Sequence, residues 1–418
     1  MITQGISILT IFILIFIVFD FILEFFLDKL NSKSWDLPIP QELEGIYDKE
    51  KYEKARQYHH AKEQLSNIAT ILSTTITVLF LWLKGFAYAH DWVASITASP
   101  IWQALLFFGA FAVLSDIIGL PFEIYGIFKI EENFGFNKMT WKTYLADKIK
   151  GYVLGAIIGG VLLSLFVWFY MIAGNSFWWY AWALFTAFTL FFTMFYTSLI
   201  VPVFNKLVPL EEGTLRTKIE AFAQKVNFPL TNIFVIDGSK RSTKANAYFS
   251  GIGNKKTIVL FDTLINEQTE EELVSVLAHE VGHYKMKHIQ KGMLIGIVQM
   301  GIILFILQLF INKPGLTHAL GWQSETPIFH LGLIAFSLLF SPISTITGIF
   351  MNIFSRKNEY EADNYAKQNV GTGEHLISAL RKLSANNLSN LNPNKWYVFF
   401  HYSHPPLRSE ERRVGKSV

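Results

Sequence analysis

Cysteine is absent from the 418 residues. That excludes disulfides, thiolate metal ligands, cysteine nucleophiles and palmitoylation, and leaves histidines and carboxylates as the groups able to hold a metal. Charge is scarce as well: Asp, Glu, Lys and Arg make up 17% of the chain and the formal net charge is +3, so nothing in the charge argues for a nucleic-acid partner. There is no internal repeat or low-complexity tract. The first apolar run has neither a basic leader nor a small-residue cleavage site, and is expected to be a retained span rather than a signal peptide. What the chain has in plenty is apolar character, 51% hydrophobic and 16% aromatic, too much for an ordinary soluble domain. The composition predicts a mainly α, polytopic membrane protein.

Stretches long enough to cross about 30 Å of hydrocarbon fall at residues 6–27, 68–88, 101–128, 152–173, 177–203, 292–311 and 327–354. The segment after the first carries Lys29, Lys33, Lys49, Lys51, Lys54, Arg56 and Lys62, and the segment after the third carries Lys129, Lys138, Lys142, Lys148 and Lys150. Residues 89–100 and the turn near Gly174 have no Lys or Arg, and residues 312–326 have only Lys313. This alternation puts the N-terminus outside and the later polar segments in the cytoplasm. The expected organisation is five helices in 1–204 with cytosolic loops at 28–66 and 129–151, a cytosolic insert at 205–291, two helices in 292–354, and a cytosolic remainder at 355–418. Within 205–291 the pattern predicts a helix over 211–225 and strands over 232–236, 246–252 and 257–261. A further helix opens at Thr269, where Glu272 completes a capping box. Asp20, Glu24, Lys84, Asp116 and Glu123 fall inside proposed spans and should face the bundle interior, a water-filled cavity or the interface, with snorkelling an alternative for Glu24 and Lys84.

That last helix contains LAHEVGHYKMKH, residues 277–288. His279 and His283 are four apart, so on a helix both imidazoles lie on one face and can grip one metal ion. Glu280 between them is placed to act as general base on a metal-bound water. His288 is a tempting third ligand. It comes five residues after His283 with no intervening glycine, where the extended HExxHxxGxxH pattern needs six and a helix-breaking glycine, so an interfacial or outer-tier place is expected for it. The better third ligand is Glu359 in SRKNEYEADNYA, residues 355–366. Two spans separate it from His283, an even number, so the chain returns to the side it left. The helix bearing the histidines would run into the sixth span, and the seventh would run out into the helix of Glu359, as an antiparallel pair. Asp363, one turn on, is placed to accept a hydrogen bond from a ligand histidine. Glu361 should point away from this face as a solvated charge.

The motifs resemble those of the type 1 CAAX prenyl proteases, integral-membrane metalloproteases with HExxH plus a glutamate ligand. GIYDKEKYEKARQYHHAK and LPFEIYGIFKIEENFGFNKMTW resemble the family's first two cytosolic loops, and STKANAYFSGI, KTIVLFDTLI, LAHEVGHYKMKH, SRKNEYEADNYA and HYSHPPLRSEER follow in the family's order. The resemblance implies seven helices enclosing a chamber, closed by a cytosolic α+β zincin-like domain. It implies one Zn2+ on His279, His283 and Glu359, with Glu280 as base and Asp363 in support. Asn246, Ala247 and Tyr248 would belong to an edge strand that pairs with the substrate backbone. His404 would stabilise the oxyanion, and Arg408 would be a substrate or structural contact. The implied partners are membrane lipid and a peptide or protein substrate cut near an isoprenylated C-terminus. Compact length, a Lys/Asn/Ile/Phe-rich composition and no KDEL-type signal point to a bacterial inner (plasma) membrane; a eukaryotic member would sit in the ER membrane. A broad membrane-protein quality-control protease without a prenyl requirement is the alternative function. An intramembrane metalloprotease and a metal-sensing transporter are more distant ones.

Overall fold

The computed structural model describes residues 7–250 and 256–409. Gly251 and Ile252, the end of one expected strand, and Glu410, Glu411 and Arg412, the end of the last motif, lie outside the described residues. The chain opens with α1 (Ile8–Lys33), α2 (Lys49–Trp82), α3 (Gly85–Ile96), α4 (Pro100–Tyr125), α5 (Trp141–Ala173), α6 (Phe177–Leu199) and the short α7 (Val201–Phe204). A mixed region follows: β1 (Leu207–Pro209), α8 (Thr214–Lys225), β2 (Leu230–Ile236), β3 (Ala247–Ser250), β4 (Lys256–Phe261), α9 (Asp262–Glu267) and α10 (Glu270–Lys285). Then come α11 (His288–Ile311), α12 (Pro314–Ala319), α13 (Phe329–Val370), α14 (Glu374–Asn386) and α15 (Lys395–His401).

Six segments among the described residues are long and apolar enough to cross a membrane. The longest, Trp141–Phe204, holds both α5 and α6, which part at a 3-10 turn over Gly174–Ser176 where Gly174 has φ +50°. The bundle therefore has seven long apolar helices, α1, α2, α4, α5, α6, α11 and α13. Ile13 early in α1, Leu81 late in α2, Phe107 early in α4, Val167 late in α5, Phe177 opening α6, Ile311 closing α11 and Phe329 opening α13 share one buried core. Every spanning helix thus begins or ends at the same packed end, in strict alternation, and the polar mixed region lies at the other.

Several expectations about boundaries are corrected. The second span does not reach residue 88: α2 stops at Trp82, and Lys84 turns the chain with φ +56° into α3, which fills most of what read as a loop. The Lys84 stem rests against Gly321, where an added Cβ would come within 2.7 Å of it. The stretches read as cytosolic loops are largely helical extensions of the spans, because α2 starts at Lys49 and α5 at Trp141. β1 was not foreseen; three residues ending in proline carry too little alternation to register as a strand. Four of the charges read as lying inside spans have partners within the protein: Lys148 Nζ lies 2.7 Å from Asp116 and 2.6 Å from Glu123, Ser341 donates to Asp20, and His401 is 3.3 Å from Glu24.

The sheet order is β1-β2-β4-β3, with β2 and β4 parallel and the outer pairs antiparallel. It packs on α8, α9 and α10 through Ile219, Phe222, Ile258, Leu260, Leu264 and Leu277, and each such buried side chain contributes about 1.5–3 kcal/mol. A third core joins the N-terminal loops to the C-terminal segment through Trp35, Tyr47, Tyr58, Phe136, Leu391 and Leu407.

The capping box is present: Thr269 Oγ1 accepts from the Glu272 amide at 3.3 Å, and Glu272 accepts from the Thr269 amide at 2.7 Å. Glu272 also accepts from Ser378 at 2.6 Å and from Lys382 at 2.7 Å, tying α10 to α14. Burial works against its charge, but Lys382, Ser378 and the Thr269 amide outweigh it and hold the carboxyl below the usual glutamate value. A depressed carboxyl stabilises the fold above its unfolded pKa and loses that contribution as pH falls through its folded value. Glu272→Gln should therefore lower stability by about 1–3 kcal/mol at neutral pH, with the deficit shrinking in acid, as thermal unfolding in detergent across pH would show.

Candidate metal centre

The α10 and α13 helices cross closely because Gly282 has no side chain. A Cβ there would stand 3.0 Å from Ala362 Cα and 3.1 Å from Tyr365 Cβ. Gly282 adjoins His283, and Ala362 adjoins Asp363, so this contact sets the register of the two functional faces. His279, His283 and Glu359 come together, with one donor atom from each all within 4.8 Å of one another. The Nε2 atoms of the two histidines are 3.1 Å apart, and Glu359 lies 3.3 Å from His279 Nε2 and 3.5 Å from His283 Nε2. Tetrahedral bonds of about 2.0–2.1 Å to a zinc-sized cation require donors about 3.4 Å apart. The donor set and its spacing both fit.

The surroundings orient these donors. His279 Nδ1 faces Asp363 Oδ1 at 2.8 Å, as expected, which leaves Nε2 turned to the shared point. Burial opposes a proton on His279, but the Asp363 and Glu359 carboxylates outweigh it and raise the imidazole well above its ordinary value. His283 is oriented by an arm the sequence did not show: its Nδ1 lies 3.0 Å from His288 Nδ1, and His288 Nε2 lies 3.1 Å from Glu361. The outer-tier reading of His288 holds, whereas two expectations are corrected. Glu361 faces away from Glu359 and its side chain is 37% exposed, but it is not merely solvated, because it meets His288. The histidine helix does not run on into the sixth span either: α10 stops at Lys285, and Lys287, with φ +59°, redirects the chain before α11. That left-handed turn takes His288 off the α10 face and brings it behind His283.

Glu280 lines a cavity of about 870 Å³ together with Asn246, Tyr248, Phe249, Tyr284 and Tyr196. Burial pushes its carboxyl above the usual range, although the flanking His279 and His283 pull the other way. The strand of Asn246, Ala247 and Tyr248 is the sheet's edge, pairing only with β4 among the described residues. Asn246, at its head, is exposed; its carbonyl accepts from the Phe261 amide at 3.1 Å and its side chain from the Ala247 amide at 2.8 Å. His404 reaches the cluster from the C-terminal segment, with Nε2 3.5 Å from Glu359 and the ring largely exposed. It is carried there by α15, which α13 holds through Asn352 to the Phe400 carbonyl at 2.6 Å and Arg356 to the Val398 carbonyl at 3.1 Å. Arg408 is half-buried beside Leu407, which anchors this segment in the third core.

Residues 29–206 match the model of the CAAX prenyl protease N-terminal region with five membrane helices, and residues 209–414 match that of peptidase family M48. The CAAX prenyl protease 1 homolog of Oryza sativa subsp. japonica is 36% identical over 411 residues, 94% of each chain. The chain belongs to the CAAX prenyl protease 1 family of M48 peptidases. CAAX prenyl protease 1 of Saccharomyces cerevisiae is 33% identical, covering 90% of this chain and 88% of its own, and the human homolog is 32% identical, covering 88% and 87%. The crystal structure of S. mikatae Ste24p superposes with a TM-score of 0.89 at 32% identity, over 99% of this chain and 100% of that one. This M48 protein is an integral, multi-pass membrane metalloendopeptidase that acts on a protein or peptide substrate.

Proposed function

We propose that this M48 protein hydrolyses peptide bonds near the C-terminus of CAAX-type, isoprenylated proteins or peptides, with one Zn2+ held by His279, His283 and Glu359. The observation that carries this reading is the convergence of those donors, 3.1–3.5 Å apart, beside Glu280 on a cavity walled by an edge strand. When bound, zinc supplies the Lewis acidity that activates water and polarises the scissile carbonyl. Asn246, Ala247 and Tyr248 bind the substrate backbone by strand addition, which orients the carbonyl. Glu280, raised by burial toward the working pH, takes the proton of the attacking water and returns it to the leaving amine. His404 donates to the oxygen on which negative charge develops. Asp363 keeps the His279 tautomer with Nε2 free, and Arg408 steadies the segment that presents His404.

The Lys- and Arg-rich segments on the same side as this region support a cytoplasmic catalytic end. Bilayer lipid is then the surrounding partner, in an inner (plasma) membrane of a bacterium or the ER of a eukaryote. The decisive assay compares matched C-terminal peptides with and without an isoprenyl group on purified protein. Zinc-dependent cleavage abolished by chelator and faster on the isoprenylated peptide is the expected result. Equal turnover of both would replace prenyl specificity with the broader quality-control reading, which one feature favours: pairing along β3 recognises backbone, whatever the side chains.

A further inference from the structure

The motifs of the two N-terminal loops take no part in the chemistry above, yet the structure fastens both to one short stretch, residues 237–246, that leads into β3. Asn137 and Ser242 form an isolated antiparallel bridge. On either side of it the Lys138 amide donates to the Arg241 carbonyl and the Thr243 amide to the Phe136 carbonyl, both at 3.0 Å. The Arg241 guanidinium grips Asp147 of α5 through two nitrogens at 2.7 and 2.9 Å and donates to the Phe204 carbonyl at 2.8 Å. Three residues on, the Lys244 ammonium lies 3.0 and 3.2 Å from the Glu131 carboxylate oxygens and 2.8 Å from the Tyr58 hydroxyl. It also sits 4.5 Å over the Phe136 ring, while Tyr58 donates to Glu131 at 2.6 Å.

These contacts are stronger than ordinary surface pairs. Arg241 and Asp147 are 20% and 18% exposed, Lys244 and Glu131 33% and 22%, and a two-nitrogen grip adds direction to attraction. Glu131 closes a π-helical segment, Gly126–Glu131, a rare geometry that concentrates at functional positions. The hydrogen-bond partners of the Arg241 and Lys244 side chains come from α2, the π-helical segment, α5 and α7, while β4 and α9 reach the stretch through the Phe261 amide to the Asn246 carbonyl and the Thr263 hydroxyl to the Lys244 carbonyl. β3 itself has four residues and a single strand neighbour among the described residues, too little to hold its own position firmly.

We infer that Arg241–Asp147 and Lys244–Glu131–Tyr58 form a clasp of positioning residues by which the N-terminal membrane half sets β3 against Glu280. This rests on the proposed role of β3 as the substrate strand. A strand adds a peptide well when its free amides and carbonyls are already ordered, because ordering left to the binding step is subtracted from affinity. Loosening the clasp therefore weakens substrate binding and leaves the metal and the chemical step in place.

The test uses full-length protein with Asp147→Asn, Glu131→Gln, and the exchange of Arg241→Asp with Asp147→Arg. The expected result is a KM raised roughly ten- to a hundredfold in the single variants with kcat and zinc stoichiometry close to wild type, and a KM partly recovered in the exchange. Amides of 242–249 should lose hydrogen-exchange protection in the single variants while those of 273–283 keep theirs. Unchanged KM and unchanged protection would overturn the clasp, as would a fall in kcat and zinc content with KM unaffected. Should Asp147→Asn fail to fold, the milder Glu131→Gln carries the same readings. A wild type that cleaves no peptide would instead defeat the proposed function, and the exchange measurement would still decide the clasp.

Discussion

Glu280→Gln should keep a full complement of zinc and lose peptidase activity by a factor of about 10²–10⁴, the usual contribution of a positioned general base. The carboxyl sits on the wall of the cavity that Asn246 and Tyr248 also line, with the histidine faces on either side. An amide fills nearly the same space but takes up no proton at any working pH, so metal binding and the fold are left alone. Metal analysis alongside turnover of one peptide decides it. Cleavage at wild-type rates by the zinc-loaded variant would remove Glu280 from the mechanism.

His283→Ala should lose both the metal and the activity. The candidate site brings three donors together, and removing one leaves His279 Nε2 and Glu359, 3.3 Å apart, beside the largely exposed His404 ring, too few fixed donors to hold the ion tightly. The loss extends beyond a single bond, since the arm from Glu361 through His288 ends on His283 Nδ1 and would be left with no imidazole to orient. Substoichiometric zinc after dialysis against a mild chelator, together with activity at background, is the expected outcome. Stoichiometric zinc in His283→Ala would mean that the ion is held elsewhere. The contrast between the two variants separates binding from catalysis in adjacent turns of one helix.

Much of this site was legible in the sequence because helical periodicity is a local property. Four-residue spacing put His279 with His283 and Glu359 with Asp363 whatever the rest of the chain did. Counting spans then showed that Glu359 returns to the side of the histidines, since two crossings cancel. The β3 edge, the capping box at Thr269 and the hydrogen bond from His279 to Asp363 are also as the sequence implied. Glu361 was misread for a definite reason. On its own helix it faces away from Glu359, and its partner His288 reaches it only because a single left-handed residue, Lys287, breaks the expected continuous helix. A lysine at positive φ leaves no periodic trace.

The sequence by itself determined the membrane-spanning character, the alternation of the helices, and the shared face of the candidate metal donors, because burial period, span length and charge asymmetry are all written in neighbouring residues. Only the tertiary structure decided how closely α10 and α13 approach at Gly282, how His288 and Glu361 come to support His283, and that α2, α5 and the π-helical segment hold the lead into β3. Those relations join residues roughly 70 to 190 positions apart, and they depend on packing distances and backbone turns that pattern in the chain does not encode.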